Sequence, residues 1–525
     1  MNGRARPKAT ADAALVGAAA FGTAALSAAL AREPRGTLLV LAVVGAAALV
    51  ALGVRHRRAL ARIEARRLLV WVALLVPFAA LIGPVLAVPG LRQLFAFRLL
   101  LLLAATLIAI MLIAGEHVTS WRVPAYAAPF GLWFVWLAVT LLWAPDKPAA
   151  LRYLIVLATM LALMLATAFA GSSERRLRFL LAVLGAACGL TMLVALIEAV
   201  TGLRLPTSVL AGGSTSGGRT VAVTSVYSNE NDLATYLTIA WPFLLAALLF
   251  TQRLRWRTFL LLGVALALFV FLHTGSRSSL VVIGLETLVL APVIMRLSSP
   301  RGVRLSLALS LVVVAGLAWL ALNTSENPIL RQFQVANLVQ NVEQGYGSGE
   351  TRLGLTQTGL ALAADSHLLG VGAGNAEGMV KLAEGDPTAL GNLHNWWMEV
   401  LVDGGLPALA IYVLIYVGLM VAMYRVSRRA GDPLMRYVAT ATLVALIGYS
   451  VGSLGPSTAV GFAPMWVLFG VALAVVARAE ALRDEAVVST KPTRASPTAG
   501  RERAPEGAGP HPDDGHETQQ LAGPA

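Results

Sequence analysis

The sequence predicts an all-α polytopic membrane protein with about fourteen transmembrane helices and one large outer loop containing short helices. Three observations carry that prediction. Charged residues make up only 13% of the 525-residue chain and hydrophobic residues 57%, whereas a soluble domain carries roughly 25% charge. Mean hydropathy is +0.72. Apolar runs also recur along the chain between charges, Pro or Gly, at about the 20 residues that cross a hydrocarbon core.

In order, the segments are roughly 12–30, 37–54, 68–87, 96–114, 127–143, 150–170, 178–200, 232–250, 258–272, 279–295, 305–322, 405–424, 436–452 and 460–477. The first two rest on Ala-rich runs. A net charge of +13 does not point to nucleic acid, because the arginines sit in short loops between apolar runs. Placing the N-terminus inside puts 29 of the 41 Lys and Arg residues on the inner side, as orientation by basic loops requires. Arg175, Arg176 and Arg178, then Arg253, Arg255 and Arg257, then Arg425, Arg428 and Arg429 mark successive inner loops. Both termini are therefore expected in the cytoplasm. The basic start, the first apolar run and the small-residue stretch Ser27 to Ala31 also fit a cleavable signal peptide, which would leave the later topology unchanged. Residues 485–525 lose apolar periodicity and are expected to form a disordered cytoplasmic tail. The single cysteine, Cys188, lies in an apolar run and excludes an intramolecular disulfide framework.

Two outer connections are long, 201–231 and 323–404, and long ordered loops usually serve function. The second contains apolar runs, Leu353 to Ala364 and Val371 to Leu382, at helical spacing. Four polar constellations fall on this side. The first is Arg219 after a Gly-rich stretch, then Ser228-Asn229-Glu230-Asn231-Asp232, where Ser228 or Asn229 suits a helix cap and Asp232 a first turn. The second is Ser276-Arg277 at a helix end, a place for an anion or for a snorkelling side chain. The third is Arg352 with Gly370-Val371-Gly372-Ala373-Gly374-Asn375; no Lys-Ser/Thr follows and no strand precedes, so this is not a nucleotide loop. The fourth is His394-Asn395, with Asn395, Glu399 and Asp403 at i, i+4 and i+8 on one helical stripe. Polar groups near hydrocarbon are costly and tend to face a cavity.

In these four stretches the chain resembles the O-antigen ligase and polymerase superfamily. The pattern is an outer Arg before an Asn-x-Asn segment, Ser-Arg at a helix end, Arg followed by Gly-x-Gly-x-Asn, and His-Asn before an Asp-Gly. Here it reads Arg219 with Asn229 and Asn231, Ser276-Arg277, Arg352 with Gly372 to Asn375, and His394-Asn395 with Asp403-Gly404-Gly405. Glu230 stands where the family often has Pro. The match covers about residues 200–425, so the resemblance divides the chain into N-terminal helices 1–200, a catalytic core 201–425 including the loop 323–404, C-terminal helices 426–484 and the tail.

The resemblance implies a membrane glycosyltransferase of the broad GT-C kind. Its donor would be a glycan on a polyprenyl diphosphate, its acceptor a hydroxyl on a glycan or glycolipid, and its setting the outer face of the plasma membrane. It implies His394 as the base, and Arg219, Arg277 and Arg352 as diphosphate contacts. Asn229, Asn231, Asn395, Glu399 and Asp403 would be supporting residues. Diphosphate is already a good leaving group, and guanidinium forks meet its charge. No cofactor is expected, and the outer loops hold no Asp-x-Asp pair for a divalent metal. The alternative is a transporter or flippase of lipid-linked glycans, for which Glu286 in the tenth segment is the candidate proton carrier.

Overall fold

A computed structural model describes residues 64–88, 91–114, 125–211, 222–251, 253–297, 348–384, 391–454 and 460–490. The helices are α1 (Ala65–Ile82), α2 (Ala96–Ala114), α3 (Ala128–Val139), α4 (Lys147–Ala170), α5 (Glu174–Thr201), α6 (Glu230–Phe250) and α7 (Leu254–Thr274). They continue as α8 (Arg277–Leu297), α9 (Ser348–Asp365), α10 (Ala376–Glu384), α11 (Trp396–Arg429), α12 (Pro433–Gly452) and α13 (Ala463–Thr490). A small antiparallel hairpin, Ala87–Val88 against Leu91–Phe95, joins α1 to α2. The described residues up to Ala481 form one compact unit; the described end of α13 from Leu482 belongs to a second.

Among the described residues, 8 helices are long and apolar enough to cross a membrane. Each predicted segment from the third to the tenth, and from the twelfth to the fourteenth, falls on a helix. The first, second and eleventh lie outside the described residues; of the tail expected to be disordered over 485–525, residues 485–490 instead continue α13 and the rest lies outside the described residues. The chain is a multi-pass membrane protein. Large apolar side chains such as Leu112, Leu262 and Leu414 are exposed on helix faces that meet hydrocarbon, not water.

Local chemistry sets the helix starts. Asp146 caps α4, accepting the N–H of Ala149, with Pro148 at the start of the helix. Asp432 caps α12 with Pro433 following, and Asn229 caps α6. These side chains satisfy amide groups that a helix leaves unpaired. The helices then pack closely where side chains are small: a Cβ on Gly470 of α13 would press on the Met164 carbonyl and Thr167 of α4. The centre is aromatic. Trp133, Trp396, Tyr412, Trp466 and Phe469 are buried and meet with ring centroids 5.4 to 6.5 Å apart, within the range in which aromatic pairs attract.

A second, smaller core joins α9, α10 and the start of α11 through Leu355, Leu362, Val380, Leu393 and Met398. The predicted helix over Leu353 to Ala364 lies within α9. The run from Val371 is helical only from Ala376 onward. Its first residues form a glycine turn instead, because Gly370, Gly372 and Gly374 all have positive φ.

Candidate functional site

The glycine turn is built around a break in α11. Gly405 has φ 73° and ψ −173°, and Pro407 follows inside the helix. Proline has no N–H and its ring crowds the carbonyl four residues back, here Asp403. The break thus releases the carbonyls of Val402 and Asp403, and each is taken up from outside the helix. The N–H of Val371 donates to Val402 O at 2.8 Å and that of Gly372 to Asp403 O at 3.0 Å. The N–H of Leu406 turns away to Leu368 O at 2.8 Å.

The rest of the turn is equally occupied. The Asp403 carboxylate accepts the N–H of Asn375 at 3.1 Å and of Ala376 at 2.9 Å, so it stands at the N-terminus of α10. Ala373 N–H donates to Thr140 Oγ1, and Asn375 Oδ1 accepts the N–H of Asp146 at 2.8 Å. The indoles of Trp136 and Trp143 donate to the carbonyls of Gly404 and Gly370. A Cβ on Gly372 would meet Ala144 at 2.6 Å, and one on Gly374 would meet Tyr153 at 2.6 Å. The turn is therefore an internal joint between the α3–α4 connection and α11. Its amides serve protein acceptors, which accounts for glycines at spacings that resemble a phosphate loop.

At the head of α11, His394 adopts φ 47°, left-handed backbone for a non-glycine residue. Such residues are uncommon and cluster where the surroundings impose the conformation. The His394 N–H donates to Asn392 Oδ1 at 2.7 Å, which closes a tight turn. Asn395 then caps the helix, accepting from the Met398 N–H at 3.3 Å. Two bonds fasten this head to the end of α12: Trp396 N–H to Ser453 O, and Trp397 Nε1 to Ser450 O. His394 is half-buried at this corner. Glu399, one turn further on, has a buried Oε1 with no hydrogen-bond partner.

The other predicted residues are placed as follows. Asn229 Oδ1 accepts the Asp232 N–H at 2.9 Å and its Nδ2 donates to Asp232 Oδ2 at 2.9 Å, so the pair fixes the start of α6. Asn231 sits half-buried in the same first turn. Arg277 opens α8 just after Gly275, whose φ of 70° ends α7; of Arg277 only the backbone is described. Ser276 Oγ meets Ser279 Oγ at 3.0 Å. Arg352 is half-buried on α9, on the stripe of Leu355, Gly359 and Leu362 that faces Leu393 and Met398. Burial holds its guanidinium below the ordinary arginine value, a desolvation cost that a bound anion would offset. Arg219 lies outside the described residues.

Sequence reasoning missed the clamp on the connection that carries Arg219. Glu198, buried near the end of α5, accepts the backbone N–H of Thr224 at 3.1 Å and of Ser225 at 2.7 Å. It also pairs with Arg204 at 3.4 Å. Arg204 in turn donates to the carbonyls of Leu210 and Ala222, the two sides of the connection. Val223 N–H reaches His273 O at 3.1 Å and so ties the connection to the end of α7, beside Ser276-Arg277. No metal-binding group of three His, Cys, Asp or Glu side chains occurs among the described residues.

Residues 262–413 match the family model described as O-Antigen ligase. That stretch runs from α7 to the first turns of α11 beyond the break, and so contains Ser276-Arg277, Arg352, the glycine turn and His394-Asn395. The chain is also 26% identical, over 400 residues, to "Teichuronic acid biosynthesis protein TuaE" of Bacillus subtilis (strain 168), covering 74% of this chain and 79% of that protein. The resemblance to the O-antigen ligase and polymerase superfamily, carried in the sequence by four short motifs, is borne out by both matches.

Proposed function

We propose that the protein is an integral membrane glycosyltransferase of cell-surface polysaccharide assembly. It transfers a glycan from a polyprenyl-diphosphate donor to a hydroxyl of a glycan or glycolipid. The plasma membrane is its setting, with both termini cytoplasmic and the site on the outer face. The observation that carries this reading is the strained His394 turn, lying inside the matched stretch and pinned to α12 by two hydrogen bonds. The TuaE similarity supports a role in assembling a surface polysaccharide.

In the proposed reaction the acceptor hydroxyl attacks the anomeric carbon of the donor. Its proton passes to the imidazole of His394; histidine is the side chain most often used as a general base at neutral pH. The bond from the anomeric carbon to the diphosphate oxygen breaks and polyprenyl diphosphate leaves. Attack opposite the leaving group inverts the anomeric centre. Arg219, Arg277 and Arg352 meet the charge that develops on the diphosphate, so no metal takes part. Asn229 with Asp232, Asn395, and Asp403 at the joint hold the segments that carry these groups. Residues 201–425 would then be the catalytic core.

The test is transfer by the purified protein in liposomes, in EDTA, from a polyprenyl-diphosphate oligosaccharide. Release of polyprenyl diphosphate by wild type and not by His394→Ala supports the reading; equal release by both overturns the role of His394. A ladder of products marks a polymerase and a single adduct a ligase.

One observation favours a second reading, a transporter or flippase of lipid-linked glycans. Glu286 of α8 is 1% exposed, and neither carboxylate oxygen has a hydrogen-bond partner. Intramembrane carboxylates of this kind carry protons in transporters. Glu286→Gln separates the readings: a transporter loses coupled movement of lipid-linked glycan, whereas a transferase keeps its product.

A further inference from the structure

Beside the His394 turn, three elements bring together polar atoms that the protein leaves unsatisfied. Tyr227 precedes α6, and Tyr449 lies near the end of α12, one turn before the Ser453 carbonyl that holds Trp396. The hydroxyls of both tyrosines are buried without a hydrogen-bond partner. The same is true of Glu399 Oε1 on α11. Tyr449 is fully buried, at 0% exposure. Asp232, 5% exposed, lies within electrostatic range of both tyrosines, and Glu399 within range of Tyr449. Phe462, just before α13, joins the two phenol rings: it stacks on Tyr449 at 6.4 Å with 4° between the planes and meets Tyr227 at 6.4 Å.

Buried polar atoms are nearly always paired, and each exception calls for an explanation. Leaving three at one corner costs roughly 1–3 kcal/mol apiece. Elsewhere in the bundle, unpaired hydroxyls such as that of Thr440 lie away from the His394 turn. Here the unpaired groups include two hydroxyls and a carboxylate oxygen, with the Trp396 indole N–H at the head of α11, beside a second carboxylate and a row of rings. That combination matches a sugar. Ring hydroxyls donate to carboxylates and exchange hydrogen bonds with phenols, and the C–H face of a pyranose lies against aromatic rings.

We propose that Tyr227, Tyr449 and Glu399, with Asp232 and the Phe462 ring, form a subsite for the hydroxyl-bearing sugar ring of the acceptor, next to His394. The subsite rests on the glycosyl-transfer reading above. It presents acidic and neutral oxygen atoms to the acceptor, while the arginines serve the diphosphate. Division of labour of that kind separates a neutral hydroxyl partner from an anionic donor by charge alone.

The experiment measures steady-state transfer by the full-length protein in liposomes, with donor and acceptor varied independently. The donor is a polyprenyl-diphosphate oligosaccharide, and the acceptors are alkyl hexosides and alkyl hexuronosides. Tyr449→Phe and Tyr227→Phe each remove one hydroxyl and keep the ring. The expected result is an acceptor KM raised about tenfold by either variant, the size of one lost hydrogen bond to a buried group, with a much smaller change in donor KM. Thr440→Val removes an unpaired hydroxyl away from the subsite and leaves both constants at their wild-type values. A rise confined to donor KM overturns the proposal and gives the sugar to the donor. Unchanged constants in both tyrosine variants, with wild-type transfer intact, also overturn it and leave the corner to water. Failure of the wild type itself to release polyprenyl diphosphate overturns the transfer reading, and the subsite with it.

Discussion

The carboxylate of Asp403 caps a helix to which it does not belong. It lies in α11, yet its Oδ1 accepts the N–H of Ala376 at 2.9 Å, the first residue of α10. The Asn375 N–H donates to the same oxygen at 3.1 Å. One buried acidic group therefore holds the glycine turn, α10 and the broken helix in register.

Asp403→Ala leaves the buried Ala376 N–H without an acceptor and the Asn375 N–H with only the Gly372 carbonyl. The expected cost is about 1–3 kcal/mol of stability, the worth of one unsatisfied buried group. Asp403→Asn keeps an oxygen acceptor and costs less. Thermal unfolding of the detergent-purified variants measures both, and a midpoint for Asp403→Ala equal to wild type would sink the capping role.

The glycines of the turn differ in what they tolerate. Gly372→Ala and Gly374→Ala combine a positive φ with overlap onto Ala144 and Tyr153. Each is expected to destabilise by roughly 1–3 kcal/mol. Gly378 lies inside α10 with open space around its Cβ position, so Gly378→Ala should gain about 0.5–1 kcal/mol from helix propensity. The three unfolding midpoints should therefore split in opposite directions.

His394 separates strain from chemistry. Glycine accepts φ 47° without the steric penalty that a side chain meets there. His394→Gly is expected to unfold no earlier than wild type while its transfer rate falls roughly 10²–10⁴-fold, the usual worth of a general base. A variant that keeps wild-type transfer would remove His394 from the chemistry.

Gly448 is expected to be intolerant of any side chain. A Cβ there would overlap the Glu286 carboxylate on the facing helix, and overpacking of a buried contact costs roughly 1–3 kcal/mol. Gly448→Ala should lower expression and thermal stability. Glu286→Gln has nearly the same volume and should retain both. Equal behaviour of the two variants would mean that the carboxylate, not its shape, governs this contact.

Most of the helices were legible because their signals are local. Apolar runs of membrane length, Asp146 and Asp432 before proline-led helix starts, and Asn229 before α6 can all be read within a few residues. The candidate site was legible only as separate motifs, of which the last three, from Ser276-Arg277 to His394-Asn395, fall in one stretch that matches a family model, and the first, with Arg219 and Asn229, lies before it. What held them was hidden by distance along the chain. Glu198 reaches Thr224 and Ser225 across a connection, and Thr140 and Asp146 reach the glycine turn across more than 200 residues of sequence. The glycine spacing excluded a nucleotide loop but named no partner, whereas Ala144 and Tyr153 explain Gly372 and Gly374 by contact. Periodicity carries no information about such partners.

The joint at Gly405 also bears on how this protein can be recombined. The stretch from α9 to the head of α11 looks like an insert between membrane helices, open to exchange among relatives. Its complement, however, is written far upstream: Trp136, Thr140, Trp143 and Asp146 hold its carbonyls and amides, and Tyr153 fills the space under Gly374. A chimera that swaps the stretch alone would bring a foreign key to this lock. Two distant passages of the chain are inherited as one part, and a specificity graft must carry both.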